Sequence, residues 1–171
     1  MLRHWTTSAS VATVSGVADR PDNPGVKVPP PLFYAAAVVV GYLLDRQWPL
    51  PIAPASLARI AGVVVGIGGV ALSVAGVRQF RRAKTSLVPI RPAAAFVVSG
   101  PYRFTRNPMY VGLALVTIGL ALLLTTWWPI VLLAPTLAAV QFFVIQREER
   151  YLRRRFGTDY DAYTRRVRRW L

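Results

Sequence analysis

Residues 100–149 read GPYRFTRNPMYVGLALVTIGLALLLTTWWPIVLLAPTLAAVQFFVIQREE. From Met109 to Trp128, and again from Ile130 to Ile145, this stretch carries no charge. Two apolar segments of that length, joined at Thr125-Thr126-Trp127-Trp128-Pro129, predict a helical hairpin crossing a bilayer, with the tryptophans at headgroup level. Pro108 suits the first turn of the first segment, where an amide N–H would lack a partner anyway. A hairpin brings its two open ends together. Polar Gly100–Asn107 lies at one of them and Glu148-Glu149 at the other.

Working outward, two further apolar segments precede the hairpin. Residues 57–77 carry only Arg59 as a charge, near one end, and expose a run of small residues that includes Gly62, Gly66 and Gly69. Small residues let helices approach closely in lipid, and this face would also permit a homodimer. Residues 31–48 form a shorter segment that ends in Asp45, Arg46 and Trp48, residues able to snorkel or anchor at the interface. The expectation is an all-α, polytopic transmembrane bundle of about four spans, 31–48, 57–77, 109–128 and 130–145. A flexible tail, residues 1–30, precedes it. One domain, residues 31–171, would hold the rest.

Composition agrees. Of 171 residues, 54% are hydrophobic, and the mean hydropathy is +0.39, too apolar for an ordinary soluble domain. The chain has no cysteine and one histidine, His4. That excludes thiolate chemistry and argues against metal sites and Ser-His-Asp triads. The net charge of +14 is confined mainly to two places. Residues 78–107 carry seven basic residues and no acid, and residues 147–171 carry nine arginines against four acids. Both flank apolar segments, the pattern of cytoplasmic loops. The charge therefore points to membrane topology and anionic lipid rather than nucleic acid. Both termini are expected in the cytoplasm, in a multi-pass protein of the cell membrane.

After the hairpin, a helix from Glu148 to Phe156 should stop at Gly157, which tolerates a left-handed backbone. Tyr160, Tyr163, Val167 and Trp170 then recur at helical spacing among arginines, predicting an amphipathic interfacial tail. Arg103 and Arg106, three apart, could share a helix face opposite the Glu148-Glu149 pair. Either a structural ion pair or a ligand site would account for such a meeting. The glycines and prolines of the loop, Gly100 among them, favour close approach of backbone to a ligand.

Ser99-Gly100-Pro101-Tyr102, Arg106-Asn107-Pro108-Met109-Tyr110-Val111-Gly112, Glu148-Glu149, Phe156-Gly157 and Tyr160-Asp161-Ala162-Tyr163 together resemble the isoprenylcysteine carboxyl methyltransferases and the related phospholipid N-methyltransferases. The resemblance spans about residues 78–171 and rests on the order and spacing of these motifs. It implies a helical membrane enzyme using S-adenosylmethionine, whose pocket forms at the cytoplasmic face. Carried over, it makes Tyr102, Asn107, Pro108, Met109, Tyr110 and Glu148 cofactor contacts, with Phe96 and Val97 lining the same site. Asn107 stands where the family commonly has histidine, and Val144 where its eukaryotic members have an arginine for a substrate carboxylate.

On this reading Glu148, Tyr102 and Tyr110 face the sulfonium. Arg103 or Arg106 receives the cofactor's carboxylate. A lipophilic acceptor enters from the bilayer. A carboxylate acceptor needs no base, whereas an amine acceptor makes Glu148 or Glu149 the candidate base. The catalytic candidates are thus Glu148, Glu149 and Arg106. Two other readings compete. The Gly-x-Tyr and Arg-x-Pro-x-Tyr pattern is also similar to NADPH-dependent sterol reductases, and a non-catalytic lipid-binding membrane protein would explain the basic tracts.

Overall fold

The computed structural model describes Val26, residues 28–82 and residues 97–171. The expected N-terminal tail lies almost wholly outside these residues, as do Phe96 and the middle of the basic loop. The described residues form five helices and no strand: α1 (Pro30–Gln47), α2 (Ala55–Arg82), α3 (Pro108–Leu123), α4 (Trp128–Val140) and α5 (Gln146–Arg166). A single π turn, Gln141–Ile145, joins α4 to α5 without a break, and a short 3-10 turn, Gly100–Arg103, precedes α3.

The tightest packing is between α2 and α3, and it is glycine that allows it. A Cβ on Gly69 would lie 2.7 Å from the Gly112 carbonyl oxygen, and one on Gly119 would lie 2.7 Å from the Gly66 Cα. Each partner is backbone and cannot rotate away. The small-residue face of α2 is therefore covered by α3 of the same chain. Nearer the chain's polar end, Gly76 makes room for Met109.

The far end of the bundle is clasped by polar contacts between turns. The Thr126 hydroxyl donates to Asp45 at 2.6 Å, and the Asp45 carboxylate also accepts from the Leu50 amide. The Trp128 indole donates to the Trp48 carbonyl, and the amides of Ile52 and Trp127 bond across the two turns. Both turns thus satisfy their backbone groups against each other, which a bilayer demands.

The outer surface is apolar. Val64 and Ile67 of α2, Leu43 of α1, and Phe142 and Phe143 of the π turn are each more than half exposed. Such a surface fits lipid and not water. Two runs of helix are long and apolar enough to cross a membrane, α2 and the continuous α4–α5 run; α3 is a shorter apolar helix. The chain is an all-helical membrane protein.

The helices differ from expectation in three places. α2 continues past Val77 to Arg82, so its basic end projects as helix rather than opening a loop. α3 stops at Leu123, because Thr125 takes a positive φ of 55° and turns the chain early. The tail is corrected most. Gly157 does adopt a positive φ of 52° and kinks α5, with Arg153 bonded to Asp161 across the kink. The helix ends at Arg166, however, and Val167 is extended. Val167 and Trp170 therefore do not continue a helix face. The segment folds back along residues 105–106, where the Arg106 amide donates to the Arg168 carbonyl.

The π turn carries one residue more than an α-helical turn, so everything after it is rotated by about 100°. Val144 and Ile145 are buried by it while Phe142 and Phe143 face outward. Glu148 and Glu149 follow within one turn.

Candidate functional site

The polar end of the bundle gathers the end of α2, the loop from Val97 to Asn107, the start of α3, the first turn of α5 and the folded-back tail. Tyr110, in the first turn of α3, donates its hydroxyl to both oxygens of Glu148, at 2.9 and 3.0 Å. The two ends of the hairpin thus meet through one carboxylate. Burial pushes the Glu148 carboxyl up to about 7; the Tyr110 hydrogen bond pulls against this, and the Glu149 charge adds to it. Glu148 nevertheless retains partial solvent access. It is a carboxylate with one donor among the described residues, a disfavoured charge and an opening. A cation placed beside it would relieve the cost of ionising it.

Glu149 has a different environment. One oxygen lies 2.9 Å from the Arg106 guanidinium, and Arg169 adds a two-point contact at 3.0 and 2.7 Å. Glu149 and Arg106 are 12% and 13% exposed. The ion pair that the sequence allows is therefore Arg106–Glu149, reinforced by Arg169, and it leaves Glu148 out. Arg106 also lies close to the Tyr160 hydroxyl. Burial, with Glu149 nearby, pushes the Tyr160 phenol up to about 12, although Arg106 pulls it down.

Tyr102, in the 3-10 turn, is buried and packs edge-on against Phe80 of α2 at 5.5 Å between ring centres. Its carbonyl accepts from the Tyr163 hydroxyl at 2.8 Å, so the tail tyrosines close over the loop. Its own hydroxyl is buried without a partner among the described residues. Burial, and next the charge of Glu148, hold that phenol far above its ordinary range.

The remaining predicted residues divide by role. Gly100 has a φ of +59°, and a Cβ there would strike Gln79 of α2, so its conformation seats the loop on α2. Gln79 also accepts from the Ser99 hydroxyl. Pro108 is fully buried in the first turn of α3, and Val97 is buried in the loop. The Met109 carbonyl faces the Ser73 hydroxyl. Asn107 uses its amide N–H to hold the Arg169 carbonyl at 2.9 Å, so that group anchors the tail. Arg103 is exposed and stands apart from the buried cluster. Arg103 and Arg106 do not share a helix face, because the 3-10 turn ends between them. The structure brings Tyr102, Arg106, Asn107, Tyr110, Glu148 and Glu149 to one end of the bundle.

Two participants escaped the sequence reading, Arg169 and Tyr34, and a third, Trp170, was read only as part of an interfacial helix face. Trp170 donates its indole N–H to Gln141 in the π turn. Tyr34 of α1 is buried in the same core cluster as Tyr110, Val144 and Ile145. Tyr34 sits in an apolar run and has no periodic partner in sequence, so no local signal marks it.

A helical bundle with an apolar outer surface, gathering polar groups at one end, has the form of an integral membrane protein. The phospholipid methyltransferase family profile matches residues 57–159, 103 of the 171 residues, and the chain belongs to that family. Membership implies methyltransferase activity at a membrane. No curated protein sequence matches the chain.

Proposed function

We propose that the chain is an S-adenosylmethionine-dependent methyltransferase acting on a lipophilic membrane substrate at the cytoplasmic mouth of a four-span bundle. The observation that carries this is Glu148: a partly open carboxylate, joined to the other foot of the hairpin by Tyr110 and paired with no cation among the described residues. When bound, S-adenosylmethionine supplies a methyl group already activated on a positive sulfonium.

The chain's residues fit that group. Glu148 and the faces of Tyr102 and Tyr110 supply negative potential for a cation. Arg103, exposed and outside the buried cluster, would be the cation for the cofactor's carboxylate. Arg106, paired with Glu149, holds the loop against α5 instead. With an amine acceptor, Glu148 is also the group that takes the proton, since a carboxyl near 7 can both hold and release it at neutral pH.

A groove of about 650 Å³ runs along α2 and α3, lined by Val63, Ile67, Val70, Val74, Leu120 and Leu123, with Arg78 at the end nearest the site. It supports an acyl chain lying along the bundle, with an anionic headgroup drawn to Arg78. The basic tracts beside it favour an anionic inner leaflet, which supports a topology with both termini in the cytoplasm.

The test is to incubate purified protein with methyl-labelled S-adenosylmethionine and a total membrane-lipid extract. The expected result is label in a lipid fraction. Label confined to water-soluble products, or saturable binding of NADPH with none of S-adenosylmethionine, would overturn the proposal.

A further inference from the structure

Phe104 breaks the sorting of side chains at the polar end of the bundle. It is 77% exposed, yet its neighbours are held in place. Tyr102 before it and Thr105 after it are buried. The Phe104 and Thr105 amides donate to the Pro101 carbonyl, and the Arg106 amide donates to the Arg168 carbonyl. The backbone is fixed on both sides, so the ring is held out from it. Phe104 lies just ahead of α3, beyond the apolar wall that the helices turn outward. Left in water there, the ring forfeits the gain of burying it.

The charge around it says what covers it. Arg103 precedes it and is exposed. Thr105 pairs with Arg168, which is exposed too. Residues 97–107 and 162–171 together carry six arginines and no acid. Glu149, which reaches this surface from α5, is committed to Arg106 and Arg169. An apolar ring ringed by cations suits the interface of an anionic bilayer: the ring enters the acyl boundary and the guanidiniums meet phosphates. A second copy docked through the same surface would set these cations against their own kind, which disfavours it.

We propose that Phe104 is an interfacial anchor that inserts into an anionic leaflet, with Arg103 and Arg168 on the surrounding phosphates, and holds the mouth of the site at headgroup depth. One short turn then carries buried Tyr102 inward and Phe104 outward, so lipid that grips the ring also fixes the wall of the site. The proposal needs the bundle to lie in a membrane and does not rest on the methyltransferase reading.

The chain has no cysteine, so Phe104→Cys carries a single nitroxide label, an apolar probe in place of the ring. Val64→Cys, on an exposed position of α2, gives the lipid reference, and free label gives the water reference. Label access to oxygen and to a water-soluble nickel chelate is measured in nanodiscs of phosphatidylcholine mixed with phosphatidylglycerol. The label at residue 104 should be shielded from nickel, at a level between the two references. Arg168→Gln should lower its ratio of inserted to withdrawn label about fivefold, and phosphatidylcholine alone should lower it further. A label at Val98→Cys, with Phe104 in place, should gain nickel access when Phe104→Ser is added. A label at residue 104 as open to nickel in the anionic bilayer as free label would overturn the proposal and leave the surface to a protein partner. Shielding indifferent to both lipid charge and Arg168, or access at residue 98 unmoved by Phe104→Ser, would overturn it as well.

Discussion

Glu148→Gln is expected to weaken S-adenosylmethionine binding about 100-fold at pH 8, and in the same buffer without cofactor to raise the unfolding midpoint. The two effects have one cause. Folding holds the Glu148 carboxyl near 7, above the ordinary 4.5. The folded protein therefore keeps a proton that the unfolded chain has already lost. Stability is undiminished below pH 4.5, falls between 4.5 and 7, and stays lowered above 7. Allowing for partial solvent access, the loss is roughly 2 kcal/mol. Glutamine carries no charge to desolvate and can still accept from Tyr110, so it recovers that loss at pH 8 and nothing at pH 4. Cofactor binding runs the other way. A cation needs the ionised carboxylate, so affinity in the unchanged protein should rise as pH increases through about 7. The Glu148→Gln profile should be flat. Thermal unfolding and equilibrium binding, each followed from pH 4 to 8, check both signs. A carboxylate that merely braced the fold would lose stability on substitution, not gain it.

Glu149→Ala should do the opposite to the fold. Glu149 stands between Arg106 and Arg169 at 2.9 and 2.7 Å. Removing it strips the Arg106 guanidinium, only 13% exposed, of its carboxylate, while Arg169, 38% exposed, can still turn to solvent. Breaking a buried pair in this way costs about 3–5 kcal/mol. The Arg168–Arg106 backbone contact and the Asn107–Arg169 bond should loosen with it, because Arg169 ties the tail to α5. The unfolding midpoint should drop, and amide exchange should accelerate at residues 105–107. There is also an effect on Glu148. Glu149's charge helps raise the Glu148 carboxyl, so in the variant the pH midpoint of cofactor binding should move below 7. A midpoint that stays put would show that the two carboxylates do not sense each other.

The sequence carried the hairpin, its Pro108 start and the Gly157 kink, because each rests on local chemistry: an uncharged run, a missing N–H, a tolerated positive φ. It also carried the meeting of the Tyr110 and Glu148 ends, since a hairpin must bring its feet together. What it could not carry was the division of labour between Glu148 and Glu149. Adjacent residues on a helix point about 100° apart, and which of them meets the arginines depends on the π turn just before them. That turn has no signature in QFFVI.

The tail was misread for a related reason. Tyr160, Tyr163, Val167 and Trp170 are periodic, but periodicity does not say where a helix stops. Backbone pairing with residues 105–106 ended it at Arg166 and turned Trp170 inward onto Gln141.

The central claim is that both feet of the hairpin border one pocket for S-adenosylmethionine. Ultraviolet crosslinking of labelled S-adenosylmethionine to the purified protein, followed by peptide mapping, tests it most directly. Label is expected on peptides from residues 97–110 and from residues 146–151, and is expected to be lost in Glu148→Gln. Label on the opposite turns, residues 45–55 and 123–128, or label unaffected by that substitution, would contradict the account.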